Sequence, residues 1–261
     1  MAEPSIVVKV EDGELGRVAT VTVDNQKKLN TLNTARIVAL REVFVRLARD
    51  AELRVVVLTG AGERAFIGGA DLDELGGLCA ESSRLFITRL HKACKAIREC
   101  PVPVIGRISG YCLGAGLEVA ASCDMRICST DASFGMPEVQ VGLPSVVEAA
   151  LLPGLIGWGK TREILLTGEM FGAADAFQMG FVQKLVARAE LDAGVAHWRD
   201  LICRAGPQAI RNQKALMNRW EQVSVQEGIY ASIDALSDAY KTGEPQAAVK
   251  AFFERKGRKD R

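Results

Sequence analysis

At 261 residues the chain can form one large domain with a substantial core, or a core plus a smaller appended piece. Its 33 Lys and Arg against 32 Asp and Glu leave a formal charge of +1, so bulk electrostatics favours neither nucleic acid nor an acidic membrane, and any bound anion must be held locally. Seven cysteines without a C-x-x-C pair argue against a disulfide framework, and only two histidines, His91 and His197, argue against a histidine metal site; carboxylates become the first suspects for chemistry.

The opening Met1-Ala2-Glu3-Pro4 lacks a basic and then apolar leader, and no apolar run reaches the ~18 residues of a membrane span. The expectation is a soluble protein in a reducing, cytoplasmic setting. Short β-branched runs at 5–10, 17–23, 54–58, 102–108, 125–128 and 182–186 read as strands. Between them, 34–50 and 81–98 carry apolar residues at helical spacing. From 191 the strands stop, and 191–204, 208–220, 226–240 and 245–255 are helical in pattern before a basic tail, 255–261. The fold class is therefore α/β, with a strand-rich body over 1–190 and a helical region over 191–261.

Four segments carry candidate chemistry. Thr59-Gly60-Ala61-Gly62-Glu63-Arg64-Ala65 fits a loose dinucleotide pattern, but Gly68-Gly69 interrupts the helix that such a pattern must open, so a strand-to-loop turn is the better reading. In the same loop, Phe66-Ile67-Gly68-Gly69-Ala70-Asp71-Leu72 has paired glycines that let the backbone approach a ligand. Next, 104–108 reads as a strand leading into Ser109-Gly110-Tyr111-Cys112-Leu113-Gly114-Ala115-Gly116-Leu117-Glu118, a helix N-terminus whose free N–H groups suit a developing oxyanion. Taken alone it reads equally as close packing, yet that leaves Glu118 unexplained: a carboxylate one turn into an apolar helix is costly unless paired or functional. Finally, Glu138 follows Pro137 in an apolar stretch, Phe134-Gly135-Met136-Pro137-Glu138-Val139, where burial would raise its pKa.

In order along the chain, these segments resemble the crotonase, or enoyl-CoA hydratase/isomerase, family. Lys28-Leu29-Asn30-Thr31-Leu32-Asn33 resembles its K-L-N-A-L loop, 55–72 its V-V-L-T-G…A-F-x-A-G-A-D-L, 110–124 its N-G-x-x-x-G-G-G-x-E-L-A-x-x-C-D, and 134–142 its F-x-x-P-E-x-x-x-G. The region 162–186 continues the match. The resemblance implies a spiral of ββα units with a helical C-terminal region that trimerises, and hydration of a trans-2-enoyl thioester. By the same carry-over, the N–H groups of Ala70 and Ala115 bind the thioester oxygen while Glu118 and Glu138 handle water and a proton. Coenzyme A, a part of the substrate and not a separate cofactor, is expected against Lys28, Leu29, Phe66, Gly68, Gly69, Asp71, Tyr111 and Gly114, with Lys27, Arg255 and Lys256 near its phosphates. Some of those last contacts are expected from a neighbouring subunit of a homotrimer or a dimer of trimers. No metal, nucleic acid or membrane partner is implied.

Two departures stand out. Ala115 sits where the family usually has glycine, which is strained if the backbone there needs positive φ and tolerated if it is helical. After Glu138, Gly142-Leu143-Pro144-Ser145-Val146-Val147-Glu148-Ala149-Ala150 replaces a glycine-rich stretch and is expected to reshape the acyl pocket. Glu148 is a candidate third catalytic acid, but reads better as a solvated or structural carboxylate in a first helical turn, and His91 and His197 as structural. Phe134 and Met136 read as core, beside a pocket-lining alternative. Sibling reactions on the same site (double-bond isomerisation, hydration of a cyclic dienoyl thioester), a noncatalytic acyl-CoA binder and a nucleotide-dependent oxidoreductase are the alternatives.

Overall fold

The β-branched runs pair into a large sheet, while the glycine-rich loops between them build a small one. The computed structural model describes the backbone of residues 6–259, with side chains through Glu254. In chain order the elements are β1 (Ile6–Gly13), β2 (Gly16–Val23), α1 (Thr34–Leu47), β3 (Leu53–Gly60), β4 (Ala65–Ile67), α2 (Leu72–Leu75), α3 (Ala80–Arg98), β5 (Val104–Ile108), β6 (Tyr111–Leu113) and α4 (Ala115–Ala121). Then follow β7 (Met125–Ser129), β8 (Ser133–Gly135), α5 (Leu152–Thr167), β9 (Phe171–Gly172), α6 (Ala173–Gln178), β10 (Lys184–Val186), α7 (Leu191–Arg204), α8 (Pro207–Trp220), α9 (Val225–Lys241) and α10 (Glu244–Lys259).

The large sheet runs β1-β2-β3-β5-β7-β10, and the small one β4-β6-β8-β9. Past the β1–β2 hairpin, every pairing in the large sheet is parallel, as are β4–β6 and β6–β8. Each of β3, β5 and β7 is thus followed at once by a short strand, and both members of the pair step along their own sheet in the same order. A helix separates one pair from the next, so the chain climbs as a spiral of ββα turns. The parallel geometry demands burial on both faces. Alternation supplies it: Val56, Leu58, Val104, Ile108 and Cys128 enter the main core, whereas Val55, Val57, Ile105 and Ile127 turn to the opposite face and meet Leu191, Val195 and Cys203 of α7. The boundary expected at 190/191 therefore falls between the sheet and the helix that covers it.

Predicted ends move by a few residues. The strand expected from 102 starts at Val104, behind Pro103, and the one expected from 182 starts at Lys184. The four strands of the small sheet, none longer than three residues, were not among the predicted elements. Helix α8 is tied down by Lys214, whose buried ammonium donates to Asp124 Oδ2 at 2.7 Å and the Val102 carbonyl at 3.0 Å. Helix α10 continues into the basic segment, but the side chains of Arg255 and Lys256 lie outside the described residues. All seven cysteines are free thiols, six of them buried.

Candidate active site

The site gathers around the N-terminus of α4. Gly114 caps the helix at φ 50° and ψ −120°, a backbone state open to glycine, and a Cβ added there would stand 2.6 Å from Glu138 Oε1. One glycine thus makes the turn and admits a carboxyl group against the main chain. Two residues on, a Cβ at Gly116 would lie 2.1 Å from the Ile67 carbonyl oxygen, so α4 rests directly on the end of β4. Ala115 opens the helix with helical backbone, so alanine brings no strain at the position where the family usually has glycine.

Two main-chain donors become available from these neighbouring segments. The Ala115 N–H lies in the first helical turn, where no intrahelical acceptor exists. Ala70 forms a parallel bridge with Leu32, in which the Leu32 N–H donates to Gly69 O and the Asp71 N–H donates to Leu32 O, each at 2.9 Å. That ladder turns the Ala70 N–H away from Leu32. A Cβ at Gly69 would be 3.4 Å from the Leu113 carbonyl oxygen, which places the Ala70 loop beside the strand that delivers Ala115.

The loop before α1 packs on the same region. Gly68 donates its N–H to the Leu29 carbonyl at 2.8 Å, while Leu29 and Asn30 hold φ of 54° and 58°. Asn30, whose side-chain role the sequence reading did not anticipate, is buried and accepts from the Asn25 N–H while donating to the Ala61 and Ala65 carbonyls. Left-handed backbone followed by an asparagine able to satisfy three main-chain groups is the signal that could have found it. The Lys28 ammonium reaches Asp71 at 3.2 Å and Asp73 at 2.6 Å, so its charge is already paired. Asp71 also caps α2 by accepting from the Asp73 N–H. The Phe66 side chain fills the core, as do Phe134 and Met136, and a ligand at the Phe66 loop meets main chain. Tyr111 is exposed and lines a polar hollow with Arg64, Asp131 and Arg188.

Glu118 lies in the first turn of α4, and Glu138 Oε1 approaches Gly114 at its start. Glu118 is only 3 % exposed. Burial, reinforced by the like charges of Glu138 and Glu148, pushes its carboxyl up to about 8, while the N–H groups of Ala149 and Val146 pull the other way. Glu138 sits half-buried on the 3-10 helix Pro137–Val141 and accepts from the Ser145 hydroxyl at 2.9 Å. Glu148 departs from expectation. It is buried, not solvated, on the 3-10 helix Val147–Leu151, and His91 Nδ1 lies 2.8 Å from its Oε1. The dinucleotide alternative finds no support here, since β4 rather than a helix follows the glycines after β3.

A helix N-terminus and an opposed main-chain donor beside two coupled carboxyls form a site able to stabilise developing negative charge and move a proton next to it. The chain belongs to the enoyl-CoA hydratase/isomerase family, whose model matches residues 14–259. It is 32 % identical over 242 residues to the short-chain-enoyl-CoA hydratase of Clostridium acetobutylicum, covering 92 % of this chain and 93 % of that one. It is 30 % identical over 221 residues to a peroxisomal Delta(3,5)-Delta(2,4)-dienoyl-CoA isomerase of Arabidopsis thaliana, with 79 % of each covered. Among solved structures, the enoyl-CoA hydratase of Bacillus anthracis superposes with a TM-score of 0.90 at 29 % identity, over 95 % of this chain and 96 % of that one. The crotonase-like α/β fold implied by the motifs is the fold of this protein.

Proposed function

We propose that the protein is an enoyl-CoA hydratase that adds water across a trans-2-enoyl thioester. One observation carries this reading: Glu118 and Glu138 are both present and electrostatically coupled at the Gly114 turn, where a single proton can be shared between them. As water attacks Cβ, charge flows to the thioester oxygen, where the Ala70 and Ala115 N–H groups lower the barrier by several kcal/mol. One carboxyl takes the proton that water loses and the other supplies the proton that Cα gains. Burial favours the protonated form of Glu118.

Coenzyme A enters as part of the substrate, along Leu29, Gly68 and Gly69, and no separate cofactor takes part. Lys28 is already paired with Asp71 and Asp73, which leaves Lys27 and the basic end of α10, with Arg255 and Lys256, as phosphate partners. We also propose a homotrimer, or a pair of trimers. Ile229, Ile233, Leu236 and Tyr240 recur at helical spacing along α9, each more than half exposed, as are Phe252 and Phe253 on α10. Among the described residues no helix is long and apolar enough to cross a membrane, so that stripe is better matched to another subunit.

A sibling reaction, isomerisation or hydration of a cyclic dienoyl thioester, is the second reading, favoured by the valines and the buried Glu148 after Glu138. The test follows loss of the enoyl-thioester absorbance with crotonyl-CoA and with longer and cyclic enoyl-CoA substrates. Formation of 3-hydroxyacyl-CoA from a straight-chain substrate is the expected result. Turnover confined to isomerised or cyclic substrates would transfer the proposal to the second reading, and stoichiometric binding without turnover would leave a noncatalytic acyl-CoA binder.

A further inference from the structure

Glu148 is a buried acid that the hydration scheme does not use. It is 4 % exposed, and its two oxygens are treated unequally. Oε1 is held by His91 Nδ1 at 2.8 Å, whereas Oε2 has no hydrogen-bond partner among the described residues. The Cys94 thiol, a weak donor, comes near the carboxyl without the geometry of a hydrogen bond. Leaving a carboxylate oxygen buried and unsatisfied is costly unless the arrangement has a use.

The backbone is also bent to place this acid. Val147 holds φ at 38°, a left-handed state that a β-branched residue rarely takes. The same short 3-10 helix packs against α3, which carries His91, and against α4, which carries Glu118. The main-chain N–H groups of Val146 and Ala149 lie near enough to the Glu118 carboxyl to favour its charged form, although the Ala149 N–H also donates to the Val146 carbonyl at 2.9 Å. The charged and titratable groups acting on Glu148 are His91, Cys94 and Arg98 of α3, and those acting on Glu118 are Glu148 and Glu138. His91 is about half exposed, with a side-chain accessibility of 49 %, so the pair connects a buried acid to the surface.

Building on the two-glutamate reading above, we propose that Glu148, anchored by His91, is a positioning residue that keeps the resting proton of the site on Glu118. Burial pushes the Glu148 carboxyl up and the His91 contact pulls it back toward its charged form; a charged Glu148 disfavours charge on Glu118, so the shared proton stays on the buried helix. A hydrogen bond from surface to acid thus sets the protonation of a group in a neighbouring helix.

The test reads the proton directly. In ligand-free protein, the carbonyl stretch of a protonated carboxyl is followed by infrared difference spectroscopy across a pH series and assigned to Glu118 by its disappearance in Glu118→Gln. The expected result is that Glu148→Gln moves this titration to lower pH by about one pH unit. His91→Leu moves it the same way by releasing Glu148 to take a proton of its own. The double variant moves it no further than Glu148→Gln alone. The alkaline limb of kcat/KM follows the same shifts, which loss of packing alone would not produce. A titration unmoved in His91→Leu and in folded Glu148→Gln overturns the proposal. Because no substrate is needed, a shifted titration in a protein that hydrates no enoyl thioester would sink the hydratase reading alone, and an unmoved titration in an active hydratase would sink this inference alone.

Discussion

The start of α4 and the turn after Glu138 both shape the same site, but by opposite means. At α4 the main chain is pressed into place: Gly114 and Gly116 bring backbone against the Glu138 carboxyl and the Ile67 carbonyl, with no room for a Cβ. In the turn that ends at Leu151, side chains dominate, with Val147 strained at φ 38° and Glu148 buried with one oxygen unmatched. Close packing of main chain holds the α4 turn, whereas backbone strain and unequal hydrogen bonding mark the turn after Glu138. The first region tolerates almost no added volume, while the second is built from larger side chains.

The largest effect should come where the two regions meet. Glu118→Gln and Glu138→Gln should each lower kcat for hydration by about 10²–10⁴-fold, with coenzyme A affinity little changed, as measured by steady-state kinetics and calorimetry. Wild-type rates in either folded variant would separate the two regions functionally. Gly116→Ala tests the packed side. Its methyl group has no space beside Ile67 O, and a loss of about 2 kcal/mol in denaturant unfolding, with loss of turnover, is expected.

The pH dependence comes next, and its sign follows from burial. The Glu118 carboxyl is raised from its ordinary 4.5 to about 8, so between those values the folded protein binds the proton that the unfolded chain has released. The Glu118 contribution to stability is therefore fully favourable below about pH 4.5, declines as pH rises and levels off above about pH 8. Glu118→Gln should flatten that decline in a series of unfolding curves. Turnover should fall as pH rises through about 8, where the site loses its acid. Smallest is the relief of strain: Val147→Gly should raise stability by about 1 kcal/mol or leave it unchanged, where most core valines lose stability on truncation. A clear loss would show that the turn is held by the valine side chain rather than despite it.

Much of this was legible from sequence because it is periodic or punctuated. The large sheet declares itself in β-branched runs such as 54–58, and the start of α4 in the glycines around Ala115, with Glu118 anomalous in an apolar helix. The small sheet was not legible, since two or three residues cannot display a period and its strands lie inside glycine loops. Glu148 and His91 were read as ordinary because their pairing spans 57 residues and no local spacing encodes it. Lys214 with Asp124, 90 residues apart, was invisible for the same reason. The positive φ of Val147 contradicts its local propensity, and only tertiary packing imposes it.

The contact between Gly116 and the Ile67 carbonyl has a consequence for how such a protein diversifies. It joins backbone to backbone, so the approach of α4 to the end of β4 does not depend on the identity of the side chains around it. On the proposed reading, substitutions at Leu143, Val146 and Val147, which leave Ser145 and Glu148 in place, should retune which thioester enters while the α4 turn keeps its dimensions. A library randomised at those three positions should yield altered acyl preference far more often than loss of turnover, whereas one randomised at 114–116 should yield mostly inert protein.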